Sequence, residues 1–354
     1  MQGIQQTLAA IGGADKEAME AVRVRWNSLA KPVGGLGMLE DLVVRLAGIQ
    51  GTSDVRIPRR ELIVTCSDNG VVRQGVSASD AAVTRIMARA IGAGQSTVCV
   101  MARHANCTVI PIDLGMLAGP AMPGVQTRIV RLGGTDDISC GPAMTREECE
   151  RAIGLGIDLV RERKEAGASV LLLGEMGIGN TTTSTAVTCA LYGEKPSAFV
   201  GPGTGLSAEG VAHKCAVIES ALAVNAPDAD DPVDILTKVG GLDIAVFCGI
   251  CLGGARHRLP ILLDGIITLA GAACAVRLCP NSQFVLLASH VSAEPVAQLL
   301  LGELDLEAAL HAQMHLGEGT GAVAMLSVLD LALSAYHEGS TLDELDICGY
   351  KPTA

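Results

Sequence analysis

Two glutamates in the chain lie among glycines, an arrangement that lets backbone N–H groups and a carboxylate meet the same small ligand. Glu175 closes the apolar run Val170-Leu-Leu-Leu-Gly174 and is followed by Met176-Gly177-Ile178-Gly179-Asn180-Thr181-Thr-Thr183. Such a loop can turn several N–H groups onto phosphate oxygens, and Asn180 with its threonines can open a helix whose N-terminal dipole favours the same anion. The plainer reading is a turn that needs glycine dihedrals. Glu318 lies in Leu316-Gly317-Glu318-Gly319-Thr320-Gly321, ahead of an apolar helix from Ala322 to Ala335. A solvated Glu at a helix start is stabilised by the dipole by less than about 1 kcal/mol. Glycines on both sides instead leave room for a flat ligand against the backbone, where partial desolvation gives a carboxylate the raised basicity of a general base.

A second glycine cluster, Gly201-Pro-Gly203-Thr204-Gly205, could form the other wall of a phosphate cradle. Neither cluster fits G-x-x-x-x-G-K-[ST], and neither gives G-x-G-x-x-G after a strand with a ribose-binding acid at the right distance, so ATPase and dinucleotide readings lose ground. Leu262-Leu-Asp264-Gly265 and Ser289-His290-Val-Ser292-Ala-Glu294 also place polar groups directly after apolar runs. Ser289 and His290 invite a serine-hydrolase reading, but no G-x-S-x-G elbow surrounds the serine, and neighbours on an extended chain point apart. Cys248 and Cys251 form a C-x-x-C without a second pair at zinc-ribbon spacing, which reads as helix packing. His311 and His315 stand four apart without H-E-x-x-H and read as an exposed helical face rather than a metal site.

These segments need a scaffold that delivers them to one place. Short apolar runs recur at Leu62 to Cys66, Ser96 to Met101, Thr108 to Ile112, Val170 to Leu173, Ile261 to Leu263 and Val285 to Ala288, alternating with longer helical patterns. Several end in Gly, Asp or Ser, the punctuation of strands feeding loops in an α/β sheet. One intervening helix is signalled by Thr145 and Glu148, a capping box, with Cys149, Ile153, Ile157 and Val160 on its buried face. Residues 61–304 therefore read as one α/β domain with a mostly parallel sheet. The first 60 residues, with helices at Lys16 to Asn27 and Leu39 to Ile49, and the tail from 305 to 354 read as helices that pair into a small second domain. In an open α/β sheet ligands bind at the carboxyl ends of the strands, where the glycine and carboxylate segments fall.

Composition narrows the class. The 354 residues carry 26 basic and 38 acidic side chains, a formal charge of −12, which argues against nucleic acid or an anionic membrane as the main partner. Apolar residues make up 49% and aromatics 2%, so aliphatic side chains and thiols must build the core. No stretch has about 18 consecutive apolar residues, and the start of the chain lacks the pattern of a secretory signal, so a cytoplasmic enzyme is the expectation. The twelve cysteines fall mainly in apolar runs, for example Cys99, Cys189, Cys215 and Cys274, and read as reduced core residues.

Taken in order, the segments resemble the nicotinate-nucleotide:dimethylbenzimidazole phosphoribosyltransferases, which make the lower-ligand nucleotide of cobamides. The resemblance runs from Lys31-Pro-Val-Gly-Gly-Leu-Gly37-Met-Leu-Glu40 through Asp68-Asn-Gly-Val-Val72, Gly75-Val-Ser77 and Gly174-Glu-Met-Gly-Ile-Gly-Asn-Thr-Thr182. It continues through Leu262-Leu-Asp-Gly265 and Ser289-His-Val-Ser-Ala-Glu294 to Leu316-Gly-Glu-Gly-Thr-Gly321. It implies a Rossmann-like large domain, a small helical domain from both chain ends that contributes the catalytic Glu, and a dimer. It implies Glu318 as general base, Glu175 on the ribose hydroxyls, and Gly177, Gly179, Asn180 and Gly203 around the phosphate with Lys214 near it. Asp264 and Ser292 would line the nucleotide site, and Ser79 and Leu316 would contact the aromatic base. Met87 stands where several members direct a Gln at that base, which opens the pocket to phenolic acceptors. The implied reaction moves phosphoribose from nicotinate mononucleotide to dimethylbenzimidazole or a similar base, with no metal and no cofactor. The alternatives are a phenol or p-cresol phosphoribosyltransferase subunit in a heterodimer with a homologous chain, a nucleotide-binding protein without turnover, and the hydrolase.

Overall fold

A computed structural model describes residues 2–203 and 205–347. The chain opens with three helices, α1 (Gln2–Ala9), α2 (Lys16–Ser28) and α3 (Met38–Gln50). Strand β1 (Arg60–Ser67) is followed by α4 (Ala82–Gly92) and α5 (Thr97–His104), then by β2 (Cys107–Gly115) and the short β3 (Gln126–Thr127). Helix α6 (Arg146–Glu165) returns the chain to β4 (Val170–Met176). Four helices follow, α7 (Asn180–Tyr192), α8 (Ala208–Asn225), α9 (Pro232–Val239) and α10 (Leu242–His257). Then come β5 (Ile261–Leu263), α11 (Ile266–Leu278), β6 (Leu286–His290), α12 (Val296–Glu303), β7 (Ala308–Leu310) and α13 (Thr320–Glu338).

The strands form one sheet in the order β3-β2-β1-β4-β5-β6-β7, and every neighbouring pair is parallel. From β1 the chain winds outward through β2 and β3, then returns to the other side of β1 and winds through β4 to β7. The direction therefore reverses between β1 and β4, which is where such sheets bind ligands. Strands β4, β5 and β6 are buried along almost their whole length, as a sheet covered on both faces requires. Alternation along β4 fixes what each face meets. Gly174 faces the start of α13, whose Glu318 carbonyl a Cβ there would strike, and Glu175 points the other way, to α7 and α10.

Helix α10 is the most buried helix and crosses α6 with backbone almost on backbone, because a Cβ on Gly156 would strike Val246 and one on Gly249 would strike Ile153. Cys248 and Cys251 lie fully buried in α10, as helix packing predicts. The capping box at Thr145 and Glu148 is formed at the head of α6. At the chain ends, α3 packs against α2 and α13, Trp26 meets Tyr336 edge-on at 5.2 Å between ring centres, and Arg25 donates to the Tyr336 carbonyl at 3.3 Å. Among the described residues α13 is the helix long and apolar enough to cross a membrane, and about half of it is buried against the sheet and α3.

Four local expectations change. Ser96 to Met101 is not a strand: Ser96 caps α5 by accepting the Cys99 N–H, and Val98, Cys99 and Ala102 are buried at helical spacing. Short β-branched runs of this kind carry no period that separates strand from helix. The tail after 305 is not wholly helical, since β7 joins the edge of the sheet beside β6. His311 and His315 are exposed but sit in the loop after β7 rather than on a helix. Cys215 is only half-buried on α8, where its Sγ approaches Glu219.

Candidate active site

The carboxyl ends of β4, β5 and β6 open onto one cleft. One wall is the loop after β4. Asn180 opens α7 behind Gly179, whose φ of +91° puts it in the left-handed region, and Gly177, Gly179, Asn180 and Thr181 all face the cleft. Opposite stands Gly203, at φ +55°. Beneath them the fully buried Lys214 donates from Nζ to Thr181 Oγ1 at 2.8 Å. Burial lowers the Lys214 pKa and the nearby Glu294 charge raises it. Two glycine loops over a buried ammonium make a cradle for an anion. Thr204 lies outside the described residues.

Glu175 reaches the cleft from the penultimate position of β4. Asn180 Nδ2 donates to Glu175 Oε2 at 2.5 Å and to Asp243 Oδ2 at 3.0 Å, so one amide bridges two buried carboxylates. Burial pushes the Glu175 pKa up to about 8, with Asp243, Asp264 and Glu318 adding to it and the Asn180 bond opposing. Burial also raises Asp243. Asp243 belongs to no motif, and its one signal in the sequence is a lone carboxylate inside the apolar stretch from 240 to 252.

Glu318 is held by backbone. It has φ +60°, unusual for a residue with a Cβ, and its carbonyl lies against Gly174, where only a glycine fits. Asp264, from the end of β5, accepts the N–H groups of Gly319 at 3.2 Å, Gly321 at 2.8 Å and Ala322 at 3.0 Å, which satisfies the first turn of α13. The Glu318 side chain is 4% exposed, and its Oε2 is buried without a hydrogen-bond partner. Burial raises its pKa and Asp264 adds to that, while the Val98 N–H and the Ser96 hydroxyl pull it back. The preceding Leu316 and Gly317 line the cleft. The Glu318 carboxylate stands behind that wall.

Of the residues singled out in the sequence, Glu175, Gly177, Gly179, Asn180, Gly203, Asp264, Ser292 and Leu316 line this one cleft. Lys214 lies under it. Ser79 lines an adjoining depression with Asp68, Asn69 and Arg73, and Ser77 belongs to both. Met87 is half-buried on α4 and is absent from the walls of either hollow. Ser289 and His290 do not point apart: Ser289 Oγ is 3.0 Å from His290 Nδ1, because the Nδ1 of an imidazole lies close enough to its own backbone to meet a neighbouring hydroxyl. Ser289 is fully buried, and His290 is wedged against Gly321 and stands 3.9 Å from Asp264. A buried hydroxyl of this kind is no nucleophile for an incoming ester. Glu294 also lines the cleft, with Oε1 accepting the Gly203 N–H at 2.9 Å; the sequence reading gave it no role. Among the described residues, no three His, Cys, Asp or Glu side chains gather as a metal site requires.

The chain resembles known proteins over nearly its whole length. Residues 11–347 match a family model described as Phosphoribosyltransferase. The chain is 41% identical over 347 residues to the nicotinate-nucleotide–dimethylbenzimidazole phosphoribosyltransferase of Acetivibrio thermocellus, covering 98% of this chain and 99% of that one. It is 39% identical over 348 residues to the protein of the same name from Ruminiclostridium cellulolyticum, with 98% and 99% covered. Among solved structures, CobT from Thermus thermophilus superposes with a TM-score of 0.88 at 38% identity, over 94% of this chain and 99% of that one.

Proposed function

The chain belongs to the nicotinate-nucleotide–dimethylbenzimidazole phosphoribosyltransferase family, and from that premise we propose how its cleft carries out the transfer. It is a pentosyltransferase that moves phosphoribose from nicotinate mononucleotide to a dimethylbenzimidazole-type base, giving the α-riboside 5′-phosphate and nicotinate for cobamide assembly. The observation that carries the reading of the site is Glu318: a buried carboxylate with a free oxygen, next in the chain to Leu316 and Gly317, which line a cleft that holds an anion cradle.

Nicotinate mononucleotide bears a pyridinium on C1′, so the departing nicotinate takes back the bonding pair of the C1′–N bond and leaves with a neutral ring nitrogen. The lone-pair nitrogen of the acceptor forms the new C1′–N bond from the opposite face, which inverts β to α, and the proton on the acceptor's other ring nitrogen goes to Glu318. The protein need not create a strong nucleophile; it must align two rings and take one proton. Gly177, Gly179, Asn180, Gly203 and Lys214 take the 5′-phosphate, and Ser292 lines the nucleotide site beside them. Glu175, largely protonated at neutral pH, can both donate to and accept from the ribose hydroxyls. Asp264 acts on the loop that carries Glu318. Ser79 and Leu316 flank the acceptor ring.

A dimer goes with this reading, as the family resemblance implies, and so does a cytoplasmic location, which suits the eleven unpaired cysteines among the described residues. The test is to incubate the protein with nicotinate mononucleotide and dimethylbenzimidazole, with and without chelator, and to identify products by mass. Nicotinate and the riboside phosphate are expected in both samples. No transfer to dimethylbenzimidazole refutes the activity, and loss of transfer with chelator, restored by magnesium, refutes the metal-free mechanism.

A further inference from the structure

The anion cradle already has an occupant that belongs to the chain. The Gly203 N–H, in the loop ahead of α8, donates to Glu294 Oε1 at 2.9 Å. The other oxygen of that carboxylate, Oε2, lies so close to Gly201 that a Cβ there would strike it. The first glycine of the second cradle thus lies against the Glu294 carboxylate and the Pro295 ring. Glu294 comes from a different part of the sheet, the turn between β6 and α12, is 8% exposed and faces the cleft. Its charge acts on the Lys214 ammonium, which itself lies 3.6 Å from where a Gly203 Cβ would be. A carboxylate on a backbone N–H beside a buried lysine stands where the reading above puts a 5′-phosphate, and one N–H cannot serve both anions at full strength.

We propose that Glu294 is a resident competitor for the cradle: its carboxylate holds the Gly203 N–H in the free protein, yields it to the 5′-phosphate, and takes it back as the product leaves. The inference rests on the reading that the phosphate is held here. Phosphoribose transfer keeps the phosphate on the sugar, so substrate and product meet the same competitor. Glu294 therefore weakens the binding of both and speeds release of the product.

The experiment compares wild type, Glu294→Gln and Glu294→Ala by calorimetric titration with inorganic phosphate, and by kinetics with nicotinate mononucleotide and with nicotinate riboside, which lacks the phosphate. Both variants are expected to bind phosphate more tightly, by roughly ten- to hundredfold for Ala, the worth of one hydrogen bond to a charged group. Gln keeps the length and one carbonyl acceptor and should fall between Ala and wild type. KM for the mononucleotide should fall with phosphate affinity, kcat should fall as product leaves more slowly, and kinetics on the riboside should change far less than those on the mononucleotide. Unchanged or weaker phosphate binding in the variants, with wild type still preferring the mononucleotide, overturns the role of Glu294 and leaves the cradle standing. A wild type that does not distinguish mononucleotide from riboside overturns the cradle itself, and this inference with it. The near-isosteric Gln variant keeps the test decisive if the Ala variant does not fold.

Discussion

Glu318 and Glu175 are both buried carboxylates at the end of the sheet, yet their surroundings suit them to different work. Glu318 keeps one oxygen free of partners, whereas Glu175 shares an amide with Asp243. Glu318→Gln keeps the shape and removes the proton acceptor, so kcat should fall by about two to four orders of magnitude while mononucleotide binding, measured by titration, persists. Turnover close to wild type would take Glu318 out of the reaction. Glu175 makes a prediction about stability. Burial pushes its pKa from 4.5 up to about 8, so between those values the folded protein binds a proton that the unfolded chain has released. Stability attributable to this group is therefore intact below the lower value and is lost as pH rises towards the upper one. Glu175→Gln should raise Tm relative to wild type by a margin that grows from about pH 5 to about pH 9, even as activity drops. A margin that does not vary with pH would mean that Glu175 titrates as an ordinary carboxylate. Both glutamates were legible in the sequence because glycines flank them. Asp243 was not, since its partner Asn180 is 63 positions away and nothing in a linear reading brings them together.

At the scale of elements, the start of α13 is fastened by a carboxylate from another strand. Asp264 satisfies three N–H groups there, a task that the helix's own cap, Gly319, cannot perform without a side chain. Asp264→Ala should destabilise the fold by about 1–3 kcal/mol in denaturant unfolding, because those donors are left buried and unpaired. It should also lower kcat more than it raises KM, since the loop it releases carries Glu318. A rise in KM at constant kcat would instead place Asp264 on the nucleotide. The strand ends at Met176, Leu263 and His290 could be anticipated to within two residues from apolar runs that stop at Gly, Asp or Ser. Ser96 to Met101 could not, because Thr-Val-Cys-Val has β-branched composition and its helical state is decided by the Ser96 cap and by packing of Val98 and Ala102. Short β7 escaped for the converse reason: three residues, Ala308 to Leu310, are too few to show alternation.

For the whole molecule, the reading of a parallel α/β sheet with chemistry at its carboxyl edge needed only the rhythm of apolar runs; the strand order needed the structure, because sequence spacing does not say on which side of β1 the chain returns. The proposed dimer is checked by light scattering of the purified chain alone, where the mass of two chains is expected and that of one refutes a homodimer. The reversal between β1 and β4 has a consequence for how the protein comes to exist. β1 cannot meet β4 until β2, β3 and α6 have been made and folded back, and each parallel pairing closes a long loop before it is rewarded. The cleft draws its walls from segments that run from Val76 to Gly317, so on the ribosome it is completed only when the chain is nearly finished. Nicotinate mononucleotide can then act as a ligand that traps the finished fold, and a chain cut short before β6 would carry the glycine loops and Lys214 but neither Ser292 nor the Leu316 and Glu318 that complete the site.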